Sequence, residues 1–229
     1  MARTTRVRRL AGVALMLAMS ACLAQAETAV PAWPDDFTGR LEVLALLETL
    51  NADLLSNDSA TLTLDRWCES HGLGATAKVV AERVGAVDKV PTAAQRSILK
   101  VDAADPVRYR RVRLRCGSRI LSEADNWYVP ARLTPEMNRQ LDQTDIAFGR
   151  AVQALHFVRH TLAARLLWSP LPAEWESGAA VPHARPQSLA MPPYLLEHQA
   201  VLSLPDGTPF SLVVETYTRE VLGFAPPPR

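Results

Sequence analysis

Residues 109–149 read YRRVRLRCGSRILSEADNWYVPARLTPEMNRQLDQTDIAFG, and this stretch decides the fold. From Tyr109 to Cys116 the residues alternate in character. Arg110, Val112, Leu114 and Cys116 fall on one face; Tyr109, Arg111, Arg113 and Arg115 fall on the other. A period of two marks a strand with one buried face. The apolar set must turn to the core, so Arg110 is carried inward while the other three arginines face water. Cys116-Gly117-Ser118 supplies a turn, and Arg119 to Ala131 reads as the hairpin partner. Pro130 stops that strand. Thr134-Pro135-Glu136 opens a short helix, with a capping hydroxyl and a proline at the first helical position. Phe148-Gly149 makes the next turn.

Working back toward the N-terminus, Leu41, Val43, Leu44, Leu46, Leu47, Leu50, Leu54 and Leu55 recur at spacings of three and four. That spacing predicts an amphipathic helix, opened at Asp35-Asp36-Phe37-Thr38 and broken at Asn57-Asp58-Ser59. A second helix is expected over Leu62 to His71, a first strand over Ala75 to Val84, and a connector with one helical turn over Pro91 to Lys100. Working forward, Leu155 to Trp168 fits a strand or a helix equally. Ser169 to Pro193 holds six prolines and reads as an irregular insertion. Pro205-Asp206-Gly207 is a hairpin turn between Leu195–Leu204 and Thr208–Arg219. The expected class is α+β: an antiparallel sheet of about six strands with N-terminal helices packed on it.

The first 26 residues read as a secretory signal. Arg3, Arg6, Arg8 and Arg9 precede an apolar run from Leu10 to Leu23, and Ala24-Gln25-Ala26 is a small-x-small cleavage site. The run is shorter than the roughly 20 residues that span a bilayer. Residues 27–229 then form a single domain, periplasmic or secreted, with the Pro-rich insertion around 169–193. Met19-Ser20-Ala21-Cys22 offers a lipoprotein alternative. Losing four arginines takes the net charge from +1 to −3, which argues against nucleic acid. No later run is long enough to cross a membrane. Of three cysteines, Cys68 and Cys116 remain; they form either one bridge or two buried apolar thiols.

Several segments carry a resemblance. Arg110-x-Val112-x-Leu114, Trp127-Tyr128-Val129-Pro130 and Phe148-Gly149-Arg150 resemble the chorismate pyruvate-lyase family. Gly207-Thr208-Pro209-Phe210 leading to Glu215-Thr216-Tyr217, and the entry Leu54-Leu55-Ser56-Asn57-Asp58-Ser59-Ala60-Thr61, are similar to that family as well. The likeness runs from Leu46 to Tyr217 and diverges between 169 and 200. It implies the chorismate-lyase-like antiparallel fold, shared with effector-binding domains of GntR-type regulators. It also implies elimination of pyruvate from chorismate or a related enolpyruvyl compound to give a hydroxybenzoate, with no metal and no organic cofactor. By the resemblance, Arg110 grips a carboxylate and Glu215 faces the departing oxygen. Backbone amides at Ala60 and Phe148 help hold the ligand. Arg111 takes the role of Arg110 if the register shifts by one. The family's arginines before its penultimate strand are replaced here by Glu197-His198-Gln199.

The residues themselves point the same way. An inward guanidinium on an apolar face is costly unless an anion meets it. A carboxyl in an apolar cavity can hold a proton and act as general acid, the role open to Glu215. Arg110 and Glu215 can also pair with each other as a structural ion pair. The ligand expected is a small aromatic or cyclohexadiene carboxylate, bound by a monomer or dimer. The alternative to a lyase is a non-catalytic periplasmic binder of such a carboxylate, which needs Arg110 but not the acid. His156 and His160 lack a third metal ligand, so no metal site is expected.

Overall fold

The computed structural model describes residues 31–76, 78–85 and 88–228. The expected signal segment and Cys22 lie outside them. The elements run β1 (Pro34–Asp35), α1 (Phe37–Leu55), α2 (Ala60–Ser70), β2 (Val80–Arg83), α3 (Ala93–Leu99), β3 (Arg108–Cys116), β4 (Arg119–Tyr128), α4 (Pro135–Gln143), α5 (Phe148–Ala151), β5 (Val158–Leu166), β6 (Arg185–Ser188), β7 (Tyr194–Ser203) and β8 (Pro209–Thr218). Six strands form one antiparallel sheet in the order β2-β3-β4-β8-β7-β5. The α+β class expected from the sequence is what the chain forms. No described helix is long and apolar enough to cross a membrane.

The alternation in β3 sets the two faces of this sheet. Arg110, Val112, Leu114 and Cys116 are buried, and the residues between them are only partly so. On the inner face, α1 buries Val43, Leu47, Leu50 and Leu54, while Leu41 and Leu55 of its expected stripe stay exposed. Asp36 caps α1 by accepting from the Gly39 amide at 2.7 Å. α2 adds Leu64 and Trp67 to the same core and starts at Ala60, capped by Ser59, two residues before the expected Leu62. α3 packs against the outer face, where Leu99 meets Trp127 and Leu212. It exists because Thr92 and Gln95 form a reciprocal capping box.

The remainder of the outer face is an ion-pair ladder. Arg111 and Arg113 share Glu123, at 2.8 and 3.1 Å, and Arg115 meets Glu82 at 2.5 Å. The run of arginines is thus neutralised by acids on the flanking strands.

Two segments differ from the sequence expectation, and one that fitted strand or helix equally is settled. Pairing of β2 begins at Val80 and not at Ala75, because the Val79 amide is taken by Asp65 Oδ1 at 2.7 Å and its carbonyl by Arg150. The ambiguous stretch resolves to strand β5. The insertion is not wholly irregular: β6 pairs with β1, Trp175 packs on Phe37, and Pro170 accepts from Arg40. It fastens the start of α1 and does not cover the sheet centre.

Cys68 and Cys116 form a disulfide that ties α2 to the end of β3. The chain comes close enough here that a Cβ on Gly74 would lie 2.8 Å from Cys116 Sγ. Gly117 takes φ +58° in the adjoining turn, a backbone conformation open to glycine.

Candidate functional site

The centre of the inner face is lined by small and polar side chains, and a cavity of about 40 Å³ lies over it. That exceeds what one water needs. Val112, Ala124, Leu202 and Val213 make an apolar floor. Ser59, Ala60 and Thr61, at the start of α2, form one wall. Phe148 and Gly149 of α5 form another. Gly149 is required where these walls meet: a Cβ there would sit 3.0 Å from Ser59 Oγ and 3.3 Å from Thr61 Oγ1. Phe148 and Phe157 are both held by Phe210, at ring separations of 6.4 and 6.0 Å. Phe157, Asp58 and Ser59 also border an outer cleft of about 210 Å³, so the Phe157 ring stands between cleft and cavity.

Arg110 enters the cavity from β3, 6% exposed. Its Nη2 donates to the Ile146 carbonyl at 2.9 Å and more weakly to Thr144 at 3.5 Å. Its Nε and Nη1 are buried and have no hydrogen-bond partner among the described residues. Burial, and then the nearby Arg83, push its pKa down to about 10. It therefore stays charged at neutral pH, a buried cation with two nitrogens unused. The N-terminus of α2 adds partial positive charge at the wall.

Glu215 is also buried and lines the cavity, but its partner is not Arg110. Arg159 Nη2 donates to Glu215 Oε2 at 2.6 Å, with side chains only 4% and 7% exposed. The Tyr217 hydroxyl donates to the same oxygen at 3.2 Å. Burial opposes the Arg159 charge most strongly, but Glu215, Tyr217 and Asp58 together leave the arginine pKa raised. Tyr217 is pushed well above its ordinary value by burial and by Glu215. Asp58 Oδ1 accepts from the Arg159 amide at 2.8 Å and so fixes the start of β5 beside α2.

Of the residues singled out in the sequence, Arg110, Glu215, Ala60 and Phe148 come together around one cavity. An Arg110–Glu215 ion pair does not form. Arg111 points to the opposite face and is bound to Glu123, as the alternation in β3 requires. Arg159, Asn126 and Phe157 line the cavity without having been picked out. Arg159 lay in the stretch whose period was ambiguous. Among the described residues no group of three His, Cys, Asp or Glu side chains could hold a metal ion.

Fold and site together define an α+β protein with an arginine-bearing cavity over the centre of an antiparallel sheet. Its sequence is 59% identical over 196 residues to the uncharacterized protein y4mC of Sinorhizobium fredii, covering 85% of this chain and 83% of that one; the chain belongs to the same family. No family model matches it. Among solved structures it is similar to PhnF from Mycobacterium smegmatis, at 15% identity and a TM-score of 0.45 over 74% of this chain and 68% of that one. It is also similar to the effector domain of PhnF, at 15% identity and a TM-score of 0.44 over 70% and 88% of the two chains. A GntR-family regulator from Bacillus cereus is a third, at 11% identity and a TM-score of 0.39 over 66% and 99%.

Proposed function

We propose that this protein binds a small aromatic or alicyclic carboxylate in the central cavity and holds it without chemical turnover. One observation carries the reading: Arg110 is buried, charged and has two nitrogens without a partner. An unmet donor on a buried charged group costs about 1–3 kcal/mol or more, and an incoming carboxylate removes that cost. The apolar floor and the Phe148 and Phe157 rings suit a flat ring attached to that carboxylate. Phe157 has to turn toward the outer cleft to admit one.

The lyase chemistry implied by the chorismate pyruvate-lyase resemblance asks Glu215 to deliver a proton to a departing oxygen. Two donors already converge on Glu215 Oε2, the arrangement of an acceptor and not of a donating acid. This favours the binder over the enzyme. The Cys68–Cys116 bridge supports an oxidising compartment, in line with export after Ala26.

The test is a thermal melt with 4-hydroxybenzoate, with its amide as a neutral control, beside a pyruvate assay on chorismate. At a ligand concentration of about 100 times Kd, linkage gives about 2.7 kcal/mol, or roughly 5–11 °C for a chain of this size. The expected result is a shift with the acid, none with the amide, and no pyruvate. Pyruvate release in proportion to protein restores the enzyme. Equal shifts with acid and amide remove Arg110 as the anchor.

A further inference from the structure

We infer that Asn126 is a second donor to the bound carboxylate and that the Ser211 hydroxyl sets its direction. This rests on the carboxylate-binding reading and adds a specificity-determining residue to it.

Asn126 stands directly opposite Arg110 in the β3–β4 pairing. Opposed residues on one face of antiparallel strands have Cβ atoms about 4.5–5.5 Å apart, so the two side chains are neighbours. Both line the cavity, and Asn126 is 4% exposed. On its other side Asn126 opposes Val213, which offers no polar group. Ser211 Oγ donates to Asn126 Oδ1 at 2.6 Å, a bond inside the protein that engages the carbonyl end of the amide. The Nδ2 end then points the other way and has no protein partner among the described residues. A carboxamide NH₂ carries two donors, and an apolar cavity wall meets neither. Ala124, two residues earlier on the same strand, also lines the cavity and is too small to fill the space beside the amide.

The side chain is neutral, which matters beside Arg110. An aspartate at 126 would pair with Arg110 and consume the charge. An asparagine leaves the charge unspent and adds a donor beside it. Arg110 and Asn126 together therefore select a group that only accepts, a carboxylate, over a carboxamide, whose own NH₂ would meet the Asn126 donor.

Titration calorimetry with 4-hydroxybenzoate and 4-hydroxybenzamide tests this on wild type, Asn126→Leu, Asn126→Asp, Ser211→Ala and Ser211→Thr. Asn126→Leu should weaken the acid about tenfold or more, the scale of a hydrogen bond to a charged group. It should also narrow the gap between acid and amide. Asn126→Asp should abolish binding of the acid. Ser211→Ala should give a smaller loss that Ser211→Thr restores, which a merely structural hydroxyl would not show in the acid-to-amide ratio. In the wild type, the assigned Asn126 side-chain NH₂ protons should move downfield on titration with the acid, and this readout does not depend on any variant folding. An NH₂ signal that stays in place while the acid binds overturns the inference and leaves the cavity reading standing. So does a folded Asn126→Leu variant with wild-type affinity. Failure of the wild type to bind any carboxylate overturns both.

Discussion

Neutralising Glu215 separates a structural ion pair from a catalytic acid. Arg159 and Glu215 are 4% and 7% exposed and 2.6 Å apart. Removing one partner of such a buried pair leaves the other charge uncompensated, at a cost of about 3–5 kcal/mol. For a domain of this size each kcal/mol shifts the melting temperature by about 2–4 °C, so Glu215→Leu and Arg159→Met should each lower it by roughly 6–20 °C. The double variant Glu215→Leu/Arg159→Met removes both charges and should recover most of the loss, because two apolar side chains can replace a buried pair at little cost. Urea denaturation followed by tryptophan fluorescence reads all four proteins and gives the coupling from a double-mutant cycle. Trp33 and Trp67 are both buried and report on the main core. Single variants that lose less than about 1 kcal/mol, or a double variant no better than the worse single, would refute the reasoning.

Other outcomes follow from single features. The Cys68–Cys116 bridge closes a loop across a separation of 48 residues, worth about 4 kcal/mol by chain entropy; Cys68→Ala/Cys116→Ala should lose roughly that much in urea, and wild type under a reductant should match it. His198 is fully buried opposite Glu215, and burial holds its pKa below the ordinary value of 6.5. The unfolded chain therefore takes up the proton first, so this part of the stability is full above about pH 6.5 and is lost as pH falls further. The urea midpoint should drop between pH 7.5 and pH 5 by a larger margin in wild type than in His198→Asn, and equal margins would show that the group plays no part.

The parts of the fold that were legible are those where burial imposes a period. β3 alternates because one face meets the core, and the same alternation turned Arg110 inward and Arg111 outward. α1 and the β7–β8 hairpin were legible for similar reasons, through apolar spacing and a Pro-Asp-Gly turn. β5 was not. Its inward residues, Arg159 and Thr161, paired to Leu202 and Ala200, are polar, and Arg159 meets Glu215 there instead of packed apolar side chains. A strand that buries no apolar stripe leaves no period to read. Arg159 and Glu215 are 56 positions apart and meet only because β5 and β8 flank β7, which no local pattern encodes. Asn126 was within reach. Continuing the alternation through β4 places Ser122, Ala124, Asn126 and Tyr128 on the inner face, where an amide beside Arg110 has the same claim to notice as the arginine.

Arg110 is the point on which the binding account turns, and calorimetric titration of 4-hydroxybenzoate into wild type and Arg110→Met measures it most directly. Methionine keeps an unbranched apolar stem in the cavity and removes the charge, so the apo-protein should melt close to wild type. The account predicts saturable binding to wild type at one ligand per chain. It also predicts a loss in Arg110→Met of about 1.5–3 kcal/mol, or roughly 10–150-fold in Kd. Undiminished binding by a folded Arg110→Met variant, or no heat from wild type with any aromatic carboxylate, would contradict it.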